Sequence, residues 1–479
     1  MDSEQVKQFV DGGKTRIIAP AGYGKTYSIA ECIEYTQNNN LGKQLILTHT
    51  HAGIASIKEK LAKKSIKSSS YKVETISSYA QKYVCSFYIG NDMPEQKDSN
   101  PYHQFLIKQA TELFRLKSVQ TIIKTTYNGL FVDEYQDCTQ SQHTMIMCLA
   151  DILPTHILGD PLQGIFGFQE KLVDFDADLN DFTKLAALDI PQRWRNNGNN
   201  FQLGESLGDI RNSLKTNSPV DLSQHRSTIT LIKIDDVLSV QNNTYKQQIR
   251  DYFNRDSLLI LLPEYKEKGF IKGKETEVWI SGISYREKIK SWIDYENSFN
   301  LIEAIDEKTL YSLASNLDDI FRARNKYKKL ITCLKNIFNS TAIDNWFNDY
   351  GVKKKQNTFD MLKSKKLAIL ITDFMATPSY WLIYNILKEI KMNLKLLCHR
   401  KELFRAVLRS LETVMTGIDG ITIKDAMYKY RNTIRHVGRK IYGKCIGTTL
   451  LTKGLEFDTV VILDAHKFPD EKNFYVAVT

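Results

Sequence analysis

The sequence predicts an α/β fold of mostly parallel sheets wrapped by helices, and three features predict it. Arg16-Ile17-Ile18 is a short apolar run that breaks into Ala19-Pro20-Ala21-Gly22-Tyr23-Gly24-Lys25-Thr26 and resumes with helical spacing through Tyr27, Ile29, Ala30 and Ile33. Gly129-Leu130-Phe131-Val132 is a buried strand that ends abruptly in Asp133-Glu134, with Asp137 close behind. Further apolar runs, Leu45-Ile46-Leu47 and Ile157-Leu158 among them, end in polar or glycine-rich residues. Open parallel sheets bind ligands at that end of their strands.

The 479 residues are enough for about two to four domains. With 42% hydrophobic and 25% charged residues the chain can bury a large core. Its net charge of +10 favours a polyanionic partner. The seven cysteines (Cys32, Cys85, Cys138, Cys148, Cys333, Cys398, Cys445) have no paired short spacing. Neither a zinc site nor a disulfide framework is indicated, and a reducing cytoplasmic location fits. No apolar run reaches membrane-spanning length, and the polar start leads directly into the loop strand. No signal peptide and no membrane partner are expected.

In chain order, Ser3 to Val10 has helical apolar spacing with Asp2 or Ser3 as N-cap. Gln5 on it can donate and accept at once, as an adenine edge requires, or be an ordinary surface amide. Gly22 and Gly24 let successive N–H groups point into one concavity at a helix start, a place for polyphosphate. Lys25 would reach the outer phosphates and Thr26 would hold magnesium. Lys43 to Thr50 is a second strand, ending in Thr48-His49-Thr50, and Val73 to Thr75 leads a third into a helix. Residues 85–124, broken by Asn91-Asp92-Met93-Pro94 and Asp98-Ser99-Asn100-Pro101, read as an insertion. Asp133 is placed to hold magnesium and Glu134 to orient or deprotonate water. After the strand at His156 to Gly159, Gln163 can sense a terminal phosphate, and Phe166 and Phe168 can stack on a base. Trp194 follows between Arg193 and Arg195.

These blocks, in this order, resemble the superfamily 1 helicases of the UvrD/Rep type. Gln5 resembles the family's Q motif, Ala19 to Thr26 its motif I, Thr48 to Ala52 its motif Ia and Thr75 to Ser78 its motif Ib. Asp133 to Asp137 resembles motif II, Gly159 to Phe168 motif III, Trp194-Arg195-Asn196 motif IV, and Lys453-Gly454-Leu455-Glu456-Phe457 motif V. Asn473 to Thr479 resembles the approach to motif VI, whose next residue in the family is an arginine. The sequence ends at Thr479, which implies either that its true end lies further on, or that the ATPase is crippled or completed by another chain.

The resemblance implies two RecA-like P-loop NTPase domains with helical insertion subdomains. The first comprises 1–84 and 125–183, with 85–124 inserted; the second comprises 184–265 and 441–479, with a helical insertion at 266–440. ATP with Mg2+ is implied in the cleft. Ala21, Gly22, Tyr23, Gly24, Lys25, Thr26, Tyr27, Gly454, Glu456 and Gln5 would bind nucleotide, Thr26 and Asp133 the metal. Lys25, Asp133, Glu134, Gln163 and Arg195 would act in hydrolysis. Thr48, His49, Thr75, Phe166, Phe168 and Thr449 would grip single-stranded DNA or a tailed duplex, with 3′ to 5′ movement. Asp11-Gly12-Gly13 after Glu4-Gln5 also resembles the helicase-like subunit of the Gabija anti-phage system, which implies a different role: an ATPase that regulates a partner nuclease.

Overall fold

The computed structural model describes residues 1–94, 99–167, 170–196, 200–232, 252, 254–264, 266–271, 274–279, 286, 289–290, 298–302, 307–396, 398, 400–417, 420–437 and 443–479. The chain divides into two units, one of Met1–Pro94, Asn100–Ile302 and Gly438–Thr479, the other of Glu95–Ser99 and Glu303–Val437. The fold is α/β, with two parallel sheets in the first unit.

The first sheet contains β1 (Lys14–Ile18), β2 (Gln44–Thr48), β3 (Tyr71–Thr75), β4 (Gly129–Val132), β5 (Thr155–Gly159) and β6 (Thr183–Lys184). They run in the order β3-β2-β4-β5-β1-β6, every pair parallel. Every residue of β2, β4 and β5 is buried, the continuous apolar signature of strands covered on both faces. Alternation sorts them: Ile46, Phe131 and Leu158 join Phe9, Ile29 and Ile33 on one face. Leu45, Leu47, Leu130, Val132 and Ile157 face Tyr79, Tyr83 and Phe114 on the other. Within the expected insertion, helices Ser99–Arg115 and Lys117–Thr126 place Leu106, Phe114, Val119 and Ile123 in that same core. They are therefore part of the first lobe's packing.

The second sheet is smaller. It contains β7 (Leu258–Leu262) and β10 (Phe299–Leu301), then β13 (Lys444–Thr448) and β14 (Thr459–Ile462), in the parallel order β10-β13-β7-β14. The expectation of a helical insertion over 266–440 needs correction at its start. β8 (Lys266–Ile271) and β9 (Lys274–Trp279) pair antiparallel, and β10 belongs to the second lobe's own sheet. Two six-residue strands two residues apart have hairpin spacing, whereas three residues, Phe-Asn-Leu, are too few to show any period.

The second unit is mainly helical, with one small antiparallel pair, β11 (Phe347–Asn348) and β12 (Gly351–Val352). Helices Tyr380–Met392 and Lys401–Met415 fall where apolar spacing predicts them, around Leu330, Phe338, Phe374, Ile386 and Leu411. The basic positions Arg431, Arg435, Arg439 and Lys440 have side chains outside the described residues. Among the described residues no helix is long and apolar enough to cross a membrane.

One buried histidine ties β1 to β5. Thr15 donates its hydroxyl proton to Phe9 O (2.8 Å), so its oxygen accepts from His156 Nδ1 (2.8 Å) and the proton sits on Nδ1. The ring packs between Phe9 and Phe131. Burial lowers His156 to about 3. An unfolded chain protonates this group near pH 6.5 and the folded one near 3, so its stabilising contribution is lost as pH falls through that window, by about 1.4 kcal/mol per pH unit. Urea midpoints between pH 7.5 and 5 should fall accordingly, and His156→Gln should flatten that dependence.

Candidate active site

β1 delivers Ala19 to the first sheet's carboxyl edge, where its N–H donates to Gly159 O (3.0 Å). The chain then turns through Gly22 (φ 74°) and Gly24 (φ 89°), left-handed conformations that cost a side-chain-bearing residue about 1–2 kcal/mol. Helix Lys25–Asn38 starts at Gly24 with no side-chain cap, so its positive end stays open to an anion. Lys25 is 7% exposed; its Nζ donates to Ala19 O (3.1 Å) and Gln163 Oε1 (2.9 Å) and lies 4.0 Å from Glu134 Oε1. The Thr26 hydroxyl lies beside the Asp133 carboxylate. Loop, carboxylates and Gln163 thus share one site.

The carboxylates are pinned tightly. Asp133 N donates to Leu47 O (2.9 Å), and Asp133 Oδ1 accepts from Glu134 N (3.0 Å). Glu134 itself adopts a left-handed φ of 55°, a strained backbone for glutamate. Gln136 Nε2 donates to Glu134 Oε2 (2.5 Å), while its Oε1 accepts from Asp160 N (2.9 Å). Burial, then Glu134 beside it, raise Asp133 to about 7 against the pull of Lys25. Burial acts on Glu134 in the same sense, but Lys25 and Lys453 outweigh it and hold that carboxyl below the usual range. Of two adjacent carboxyls, Glu134 is the one held ionised.

The second lobe meets this edge. Lys453 Nζ donates to both oxygens of Asp137 (2.7 and 2.6 Å) and to Gln163 O, and lies 4.9 Å from the Phe166 ring. Burial raises Asp137 to about 6, with Lys453 opposing. Arg193 N donates to Gly22 O (2.9 Å), and its guanidinium bonds Glu456 (2.9 Å) and Thr479 O (2.7 Å). Trp194 packs over Gly22, and Ala21 N–H donates to the Tyr475 hydroxyl (3.3 Å).

Other predicted residues fall differently. Gln5 Oε1 accepts from Asp2 N (3.2 Å) while Asp2 accepts from Gln5 N, a capping box that engages the amide locally. Tyr23 packs beside Trp194 and Leu207; Tyr27 is exposed beneath Lys64. Gly454 makes a left-handed turn, and Arg195 is exposed. The expected DNA-gripping hydroxyls Thr48, Thr75 and Thr449 are all buried. Thr75 caps helix Ile76–Phe87 and Thr449 donates to Asn473 (2.9 Å), so these side chains serve the fold. His49 Nε2 lies 3.3 Å from Cys138 Sγ, and desolvation, with Lys453 nearby, lowers it to about 4. Phe168 lies outside the described residues. Lys453 and Tyr475 lie within the motif V and motif VI segments and Arg193 just before motif IV, but the pattern alone gives none of them a role, and Arg211 sits in no motif.

Thr26 and Asp133 offer one hydroxyl and one carboxylate, and among the described residues no group of three or more His, Cys, Asp or Glu could hold a metal. That sparse oxygen set fits magnesium, which takes most of its ligands from phosphate and water.

A family model described as an AAA domain matches residues 2–169. The parallel sheet's strands β1 to β5 and the glycine loop ending in Lys25-Thr26 lie within the matched residues. Among solved structures, the Pif1 helicase from Candida albicans is similar over 57% of this chain and 59% of its own, at 13% identity and TM-score 0.31. A nuclease-deletion mutant of the Type ISP restriction-modification enzyme LlaGI, in complex with a DNA substrate mimic, is similar over 100% of this chain and 46% of its own, at 9% identity and TM-score 0.21. The chain thus spans less than two thirds of either. No curated protein matches it.

Gly22→Ala combines a left-handed backbone with a Cβ that would run into the Trp194 ring. Nucleotide affinity should fall about tenfold or more, corresponding to at least about 1.4 kcal/mol, measured by titration with a fluorescent ADP analogue.

Proposed function

We propose that this chain is an ATP-hydrolysing motor of helicase type that moves on single-stranded DNA or tailed duplexes. The observation that carries the reading is the convergence of Lys25, Thr26, Asp133, Glu134 and Gln163 at one sheet edge, facing Lys453 and the Arg193–Glu456 pair. Lys25 would meet the outer phosphates, and the open helix end with the loop N–H groups would cradle the rest. Glu134, held ionised, orients the attacking water and accepts its proton. Thr26 and Asp133 would hold magnesium, which neutralises charge on the phosphate oxygens when bound.

Gln163 touches Lys25 through its side chain and Lys453 through its carbonyl. A change at the terminal phosphate is thereby felt in the second lobe, the differential contact a two-state motor requires. Phe166, beside Lys453, is the aromatic best placed to stack on a base. Polarity from 3′ to 5′ and a UvrD/Rep-type cycle belong to this reading, as does a cytoplasmic location.

A second reading, an ATPase subunit that regulates a partner nuclease in anti-phage defence, is favoured by the burial of Thr48, Thr75 and Thr449, which leaves fewer side chains for gripping a strand. Steady-state ATP hydrolysis with and without single-stranded DNA tests the proposal. Hydrolysis should rise with DNA, and Lys25→Ala or Glu134→Gln should lower kcat by about 100-fold or more. Absence of stimulation by any nucleic acid would overturn the motor reading; stimulation without strand separation, together with co-purification of a nuclease, would favour the second.

A further inference from the structure

Tyr475 lies on helix Glu471–Val478, which follows the last strand of the second lobe, and it is 1% exposed. Its phenolic oxygen accepts from Ala21 N–H in the phosphate-binding loop (3.3 Å). Against the same phenol lie Asp160, fully buried just after β5, and Arg211, from helix Phe201–Lys215. Arg211 donates to Asp160 Oδ1 (2.8 Å), and its guanidinium sits 5.9 Å from the Tyr475 ring centre. Burial, then Asp160, push the phenol well above its ordinary value, so it keeps its proton. The hydroxyl accepts from the loop, and the Asp160 carboxylate, with an oxygen buried and otherwise unpartnered, lies beside it.

A ring in this place needs no hydroxyl to fill space. The helix is anchored independently by Phe474 and Val478, which pack with Trp194 and Leu207. A buried hydroxyl must find partners, and this one finds the loop N–H of Ala21, with the Asp160 carboxylate at the end of β5 against it. We propose that Tyr475 is a positioning residue through which the second lobe holds the phosphate-binding loop in register for hydrolysis, with Asp160 and Arg211 fixing the direction of its hydroxyl. This rests on the ATPase reading above.

The loop N–H groups that would face phosphate come after Ala21, so removing the hydroxyl leaves ground-state contacts in place. What is lost is the fixed relation between the loop and Gln163, three residues beyond Asp160. Small misplacements of that kind are felt in turnover.

The test is Tyr475→Phe in the full chain, which keeps the ring. ATP hydrolysis is measured at saturating single-stranded DNA, alongside binding of a fluorescent ADP analogue as a check that the site is folded. We expect kcat to fall about tenfold, the scale of one buried hydrogen bond, with KM and ADP affinity within about threefold of wild type. An unchanged kcat, or a loss carried wholly by KM, overturns the inference while the ATPase reading stands. A wild-type protein that hydrolyses no ATP overturns that reading and the inference with it.

Discussion

The structure of the first lobe depends on one constraint: an ammonium and a carboxyl, Lys25 and Asp133, are taken out of water together, with the half-buried Glu134 carboxylate beside them. A charge buried alone costs several kcal/mol, and losing one partner of a buried pair costs about 3–5 kcal/mol. Lys25 therefore has to find Glu134, Ala19 O and Gln163 at the same point. Those groups come from the ends of β4, β1 and β5, which is why β5 must lie between the other two. Gln136 closes the arrangement by joining Glu134 to Asp160 N. Strand order and site chemistry are the same requirement seen at two scales.

The same reasoning sets what can change. Lys453 and Asp137, both nearly buried, join the second lobe to the end of the carboxylate segment. Arg193 spans from the loop's Gly22 to Glu456 with more solvent around it, where an ion pair contributes about 1 kcal/mol or less. The interface thus combines a strong anchor beside Gln163 with weak contacts at the rim. A ligand that replaces the rim contacts can shift the lobes while the anchor holds, and only its differential affinity for the two arrangements does the shifting.

Much of this was legible in the sequence because charge and glycine are conspicuous where they break an apolar run. Lys25, Asp133 and Glu134 each end or begin an element, and the structure places them within reach of one another. What sequence could not show were partners supplied from far along the chain. Arg211 meets Asp160 across 51 residues and Tyr475 meets Ala21 across 454, and neither separation leaves any local pattern. β8 and β9 fall where helical spacing is expected across 266–440: each has only six residues, rich in lysine and glutamate, and too few apolar positions to fix a period.

The hydroxyls at strand ends show how one residue type answers two demands. A helix that begins directly after a strand leaves its first N–H groups without partners, and serine or threonine at the junction satisfies them. Thr50 accepts from Gly53 N and Thr75 from Ser78 N, each the N-cap of the helix that follows. A strand-binding motif and a capping motif therefore look alike on paper. Burial separates them: Thr75, 4% exposed, has spent its oxygen on the cap, whereas Thr50 is exposed and keeps lone pairs facing solvent. Any nucleic acid crossing this edge would meet Thr50 and the half-buried Phe166 before it met Thr48, Thr75 or Thr449.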